Sequence, residues 1–353
     1  MLLLGALLLG SAAAQVRPQL DAAAAARHEP QHYLGDWTPA DAQALRAARA
    51  DFLVDAQGGG THRTVQAAVD AVPAAASDAR RWVIHIRSGT YREPLCLRDK
   101  APLLLRGDSA ATVRLVEGRD NSLPKPIGVA AHACVPALDA ATHGTSGSTS
   151  VAVFSDDVQL AHLAIVNDAT APSQAVALTT SGDRVQLEGV QLWGHQDTFY
   201  ARRRERERAA RVFVRDSLVA GDVDFVFGNA TLVITHSELR SRRRLAGGVG
   251  GFVLAPSTLP DVTHGFLVTH SAFTAEPELA PGSIALGRAW DQGTASGTWQ
   301  SGVSPNGQAL VRQSELGPHI SASATWAAST SRRAVDGASR LAEHLNRPAP
   351  AKP

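Results

Sequence analysis

The chain of 353 residues has only two cysteines, Cys96 and Cys134, so a disulfide-dense scaffold is excluded, and neither has the spacing of a metal site. They read either as a pair formed in an oxidising compartment or as two small buried residues. A formal net charge of +1 lacks the basic excess of a dedicated nucleic-acid binder. Lysine is nearly absent (Lys100, Lys125 and Lys352), and arginine carries the positive charge. No apolar run reaches the roughly 18 residues that a membrane-spanning helix needs. Thirty glycines and 19 prolines are too scattered for a collagen-like or low-complexity chain. What is present is apolar: 44% hydrophobic residues can bury a sizeable core, which excludes global disorder.

The first fifteen residues, MLLLGALLLGSAAAQ, read as an export signal over residues 1–14, although the usual preceding positive charge is missing. The apolar run Leu2–Leu9 leads into the small residues Ala12, Ala13 and Ala14, with Gln15 as the first mature residue. The product is expected to be secreted or periplasmic. Residues 15–50 form an Ala-rich helical segment, with a helix start at Thr38-Pro39-Ala40-Asp41. Phe52-Leu-Val runs as a strand into a glycine turn. In Thr64–Val72 the positions Val65, Ala68, Val69 and Val72 recur at helical spacing, and Pro73 ends the run. Arg81–Arg87 alternates as a strand. The Pro/Ala tail at 347–353 is expected to be disordered.

Six segments share one pattern, beginning at Val158, Val185, Val212, Val233, Phe266 and Leu310. Each is a short alternating strand, then a small or polar corner rich in Ser, His and Gly, then a second short strand. Long helices do not alternate with them, which argues against a doubly wound sheet. Uneven steps of roughly 20 to 40 residues suit a solenoid whose longer steps carry loops. The expectation is an all-β, single-domain parallel β-helix over residues 51–346, following the N-terminal helical segment. A sandwich or a propeller is the competing reading.

Three clusters carry the chemistry: GHQDTFY (194–200), GDVDFVFGNA (221–230) and LGRAW (286–290). Stacked repeats would bring them together, carboxylate facing carboxylate. In this order the three blocks resemble the signatures of pectin methylesterases. TVQAAVDAVP (64–73), VIHIRSGTYREPL (83–95), the run from His143 to Asp168 in its bacterial form, and the run from Gln174 to Tyr200 resemble the same family. The likeness covers roughly residues 50–327.

The resemblance implies a right-handed parallel β-helix and hydrolysis of galacturonate methyl esters in pectin, with homogalacturonan as partner and no metal or organic cofactor. It makes Asp224 the nucleophile and Asp197 the general acid and base. Gln174 and Gln196 become the oxyanion donors, Arg288 the partner of the nucleophile, and Trp290 a sugar platform. Thr145 matches a substrate-contacting position, and Val223 and Phe227 flank the nucleophile where they could line a methyl pocket or belong to the core. A monomer is expected. The residue types suit the reaction: ester cleavage needs a nucleophile, an oxyanion donor and an acid for the leaving alcohol. Two aspartates divide these roles only where their surroundings separate their pKa values. His195, Phe199 and Ala289 depart from the family pattern. The run Arg202–Arg208 (RRRERER) reads either as a solvated charged loop or as a rim that attracts an acidic polymer. The alternative activity is an acyl-CoA thioesterase-like or other esterase built on the same Asp/Asp/Arg machinery.

Overall fold

A computed structural model describes residues 17–76, 79–335 and 339–350, so the export signal expected at 1–14 lies outside the described residues. The chain winds as a right-handed parallel β-helix with three sheets, of ten, nine and eight strands. One coil places Val185–Glu188 in the ten-stranded sheet, Gln191–Trp193 in the nine-stranded sheet and Phe199–Ala201 in the eight-stranded sheet. The next coil repeats this with Arg211–Arg215, Leu218–Gly221 and Val223–Gly228. Successive strands pair in parallel and in register, for example Val185 with Val212 and Gln191 with Leu218. Each of the six segments with the shared pattern is a ten-stranded-sheet strand, a corner and a nine-stranded-sheet strand.

The corner has a physical reason. His162, Gly189, Asp216, His236, His270, Gln313 and Leu345 occupy equivalent positions, all left-handed with φ between 48° and 60°. That turn breaks the sheet ladder and would leave buried N–H groups without acceptors. Ser217, Ser237, Ser271 and Ser314 supply them. Each hydroxyl donates to the carbonyl two residues back, at 2.7–2.9 Å. Each also accepts an N–H from the preceding coil, from Val190, Ser217, Ser237 and Ser271 at 3.0–3.2 Å. His236 and His270 stack in the same row, with centroids 5.4 Å apart.

The interior is a column of aliphatic and aromatic side chains, among them Leu187, Leu192, Phe199, Val214, Val226, Ile234, Leu239, Phe266 and Phe273. The N-terminal segment forms short helices, including Pro30–Leu34 and Ala42–Ala47, the latter capped by Asp41. They cover the outer face of the ten-stranded sheet: Tyr33 and Leu34 pack on Phe213, Val233, Leu267 and Leu310. The outer face of that sheet thus has an apolar patch under the helices, and Gln186 beside it exchanges hydrogen bonds with the Ala40 backbone. Val65–Ala71 forms the expected helix, capped by Thr64.

Of the tail expected to be disordered over 347–353, residues 351–353 lie outside the described residues and the start is a strand. Arg347 and Pro348 pair with Glu315 and Leu316 as a last strand of the nine-stranded sheet, because the preceding strand Arg340–His344 delivers them to an open edge. Cys96 and Cys134 form a disulfide with Cα atoms 5.4 Å apart, which decides between the two readings of the pair. It ties the excursion between Val113–Glu117 and Val151–Val153 to the strand Leu95–Leu97. No helix among the described residues is long and apolar enough to cross a membrane.

Ser237→Ala removes one hydroxyl from the corner ladder and orphans the Ser217 N–H. It should cost about 1–3 kcal/mol, read as a lowered melting temperature; an unchanged melting temperature would show that the ladder adds nothing.

Candidate active site

Asp197 and Asp224 stand on successive coils, one just before and one just inside a strand of the eight-stranded sheet. Both have left-handed backbone, with φ of 67° and 48°. The two coils approach closely at Gly221, where a Cβ would sit 2.3 Å from the Phe225 Cβ and 2.7 Å from the His195 carbonyl oxygen. Gly228 closes the same strand at φ 126°, where a Cβ would meet the Ala201 carbonyl at 1.9 Å. Phe225 and Val226 fill the core, while the Asp224 carboxylate meets Arg288 from the strand Ile284–Arg288. Arg288 donates Nε to Oδ1 at 3.0 Å and Nη2 to Oδ2 at 2.6 Å. Its guanidinium lies 3.9 Å over the ring of Phe252, which comes from the intervening strand. The fork-to-carboxylate geometry and the ring fix the pair in place. Phe252 has no motif around it and was not legible in the sequence.

Both carboxyls are nearly withdrawn from water, Asp197 at 4% and Asp224 at 7% exposure. Burial raises Asp224 above the ordinary aspartate range, and the Arg288 bonds oppose that rise. Asp197 is pushed well above its ordinary value, first by burial and then by the neighbouring Asp224 charge, with Arg288 only partly offsetting. The surroundings therefore separate the two groups: Asp224 loses its proton first, and Asp197 holds its own longer.

Gln174 is oriented by its neighbours. Its Oε1 accepts from Asn121 Nδ2 at 2.9 Å and from the Thr145 hydroxyl at 2.5 Å, and Ser173 donates in turn to Asn121 Oδ1. With the oxygen doubly engaged, the amide NH2 is the free end. Thr145, expected to touch substrate, thus bonds to Gln174. Asn121 lies in the disulfide-tied excursion, with no sequence signal to single it out. Gln196 is half-buried and lines a small depression with Ser173, Asp222, Val223 and Arg244. Asp222 faces His195 at 3.0 Å and accepts the Leu245 N–H at 3.0 Å.

Trp290 packs beside Val176, Tyr200, Phe227 and Ala255. Tyr200 and Phe227 stack at 4.3 Å, and the Trp290 ring tilts against Phe227 at 5.6 Å. Phe227 is buried under this platform, whereas Val223 borders the depression. Ala289, which departs from the family pattern, is buried, and the loop after it is anchored by Asp291, which is paired with Arg333 at 3.0 Å and accepts from Ser329 at 2.5 Å. In the Arg-rich loop, Arg206 pairs with Asp261 at 2.6 Å and Arg208 with Asp156 at 2.7 Å. Arg202 lies 5.4 Å from the Tyr200 ring centroid.

Comparison with known proteins identifies the family. A family model described as Pectinesterase matches residues 51–301. The chain is 34% identical to a pectinesterase of Ralstonia solanacearum, over 94% of this chain and 89% of the relative. The structure of the rice weevil pectin methyl esterase superposes with a TM-score of 0.81 at 28% identity, covering 94% of this chain and 96% of that one. The crystal structure of Escherichia coli YbhC superposes with a TM-score of 0.81 at 25% identity, covering 96% and 97% of the two chains.

The raised Asp197 has a sign that can be checked. Its unfolded carboxyl ionises first, so its contribution falls as pH rises from the ordinary aspartate value toward the raised native one. Asp197→Asn removes that loss. The melting temperature of the variant relative to wild type should therefore climb with pH across this window, and a pH-independent difference would contradict the raised value.

Proposed function

The chain belongs to the pectinesterase family, and from that premise we propose that it removes methyl esters from galacturonate units of pectin, with Asp224 as nucleophile. The observation that carries this reading is the forked Arg288–Asp224 pair beside a buried, proton-retaining Asp197. The Asp224 carboxylate attacks the ester carbonyl. The oxyanion accepts hydrogen bonds from the Gln174 and Gln196 amides. As the C–O bond breaks, Asp197 gives its proton to the departing methanol, leaving galacturonate joined to Asp224 as an acyl intermediate. The Asp197 carboxylate then takes a proton from water, whose oxygen adds to the acyl carbon and frees Asp224.

Asn121 and Thr145 position Gln174 so that its NH2 group is available to the oxyanion. Trp290, backed by Tyr200 and Phe227, serves as the stacking surface for a sugar ring, and Val223 borders the methyl group. Export is part of the reading: the Leu2–Leu9 run precedes small residues, and the Cys96–Cys134 disulfide suits an oxidising compartment. The enzyme acts on polymer outside the cytoplasm, as a monomer.

Methanol release from highly methylated pectin, with a short-chain acyl-CoA as parallel substrate, tests the reading. Asp224→Ala should abolish release, and Gln174→Ala should lower kcat about 100- to 1000-fold. Asn121→Ala should cost about tenfold in kcat with KM unchanged, since one bond orienting the donor is lost. Thioester cleavage that depends on Asp224, without methanol release from pectin, would overturn the substrate assignment.

A further inference from the structure

A further aspartate stands beside the pair and takes no part in the proposed chemistry. Asp222 lies just before the nucleophile, is only 4% exposed and borders the depression that holds Gln196 and Val223. Two backbone bonds lace its turn to that of the acid. The Asp222 N–H donates to the His195 carbonyl at 3.3 Å, and the Asp197 N–H donates to the Val223 carbonyl at 3.0 Å. The Asp222 carboxylate is held at one oxygen. Oδ2 meets His195 Nδ1 at 3.0 Å and accepts the Leu245 N–H at 3.0 Å, whereas Oδ1 is buried with no hydrogen-bond partner among the described residues. Buried polar atoms in folded proteins are nearly always paired, so a bare carboxylate oxygen here points to a role.

The cations nearby are largely engaged elsewhere. Arg288 is forked onto Asp224, and Arg242 pairs with Glu276 at 3.1 Å and donates to the Gly194 carbonyl at 2.6 Å. Arg244 borders the depression but makes no ion pair with Asp222 among the described residues. The Asp222 charge is felt at the acid. Burial and the Asp224 charge are the larger causes that raise Asp197, Arg288 opposes them, and the Asp222 charge adds to the rise.

The proposed reaction changes this balance. When Asp224 is acylated, its carboxylate becomes part of a neutral anhydride. As the C–O bond to methanol breaks, Asp197 gives up its proton and takes on the negative charge. The Asp224 charge that favoured a proton on Asp197 is then gone, while the Arg288 cation stays. Asp197 must nevertheless take a proton from water as the water oxygen adds to the acyl carbon. We infer that Asp222 is a positioning residue for this second step: clamped by His195 and Leu245, it supplies the fixed negative charge that keeps Asp197 a base while Asp224 is acylated. This rests on the pectinesterase reading and adds that the two half-reactions have different needs. Acylation uses Asp197 as an acid and is not helped by a charge that holds its proton back.

The test compares wild type with Asp222→Asn, which keeps the shape and removes the charge, and with His195→Gln, which keeps the charge and a donor to it. Rapid-quench measurement of methanol from highly methylated pectin separates the first turnover, which reports acylation, from the steady state, which includes deacylation. In Asp222→Asn the ratio of first-turnover rate to steady-state rate should rise about tenfold over wild type, with a methanol burst of about one equivalent per active site. His195→Gln should leave the ratio unchanged. A merely structural disturbance would slow both phases together. An unchanged ratio in Asp222→Asn, or an equal rise in His195→Gln, would overturn the assignment. The infrared C=O band of protonated Asp197 gives a second readout without substrate. Its midpoint should fall about one pH unit in Asp222→Asn and stay in place in His195→Gln. If wild type releases no methanol, the pectinesterase reading fails and this titration decides. A lowered midpoint upholds Asp222 as the charge facing the acid, and an unmoved one overturns it.

Discussion

Each coil hydrogen-bonds to the next through parallel, in-register strands, and that register carries distant stretches of sequence to neighbouring places on one face. Arg288 and Asp224 are 64 positions apart, yet their side chains meet in two hydrogen bonds. Phe252 reaches the same guanidinium from the coil between. Because the coils from Val158 onward turn at equivalent left-handed corners, an insertion elsewhere in the loop does not displace the strands. The excursion before Val151 exploits this freedom and delivers Asn121 and Thr145 to Gln174 while the sheets continue undisturbed.

The same stacking removes the two aspartates from water, and the chemistry depends on how that desolvation is divided. Buried alone, both carboxyls would keep their protons and neither would attack. Arg288 stabilises charge on Asp224 through direct bonds, whereas Asp197 receives no such bond among the described residues and feels the Asp224 charge instead. One arginine thus separates two chemically identical groups, offsetting the effect of burial more at Asp224 than at Asp197. In the proposed mechanism the neutral glutamine amides add donors without adding a charge that would strip the proton from Asp197.

The strand-corner-strand units were legible in the sequence because alternation has a fixed period and the corner demands small or polar residues such as Ser237 and His270. The three blocks and the aspartates, glutamines, Arg288 and Trp290 were legible because they recur in a known order. Contacts between coils were not. Nothing local marks Phe252 as the support of Arg288, or Asn121 as the donor that orients Gln174. The pairing of Arg347 and Pro348 was hidden for a similar reason: a Pro-rich tail gains order only when a sheet edge is waiting for it.

The most direct test of the division of labour is infrared difference spectroscopy of the protonated carboxyl C=O band, comparing wild type with Asp197→Asn and Asp224→Asn through a pH titration. The band that persists to the higher pH should vanish in Asp197→Asn and survive, at lower pH, in Asp224→Asn, where the neighbouring charge is gone. A persistent band that disappears with Asp224 and is untouched by the change at Asp197 would contradict the account, because the proton would then sit on the group required to attack.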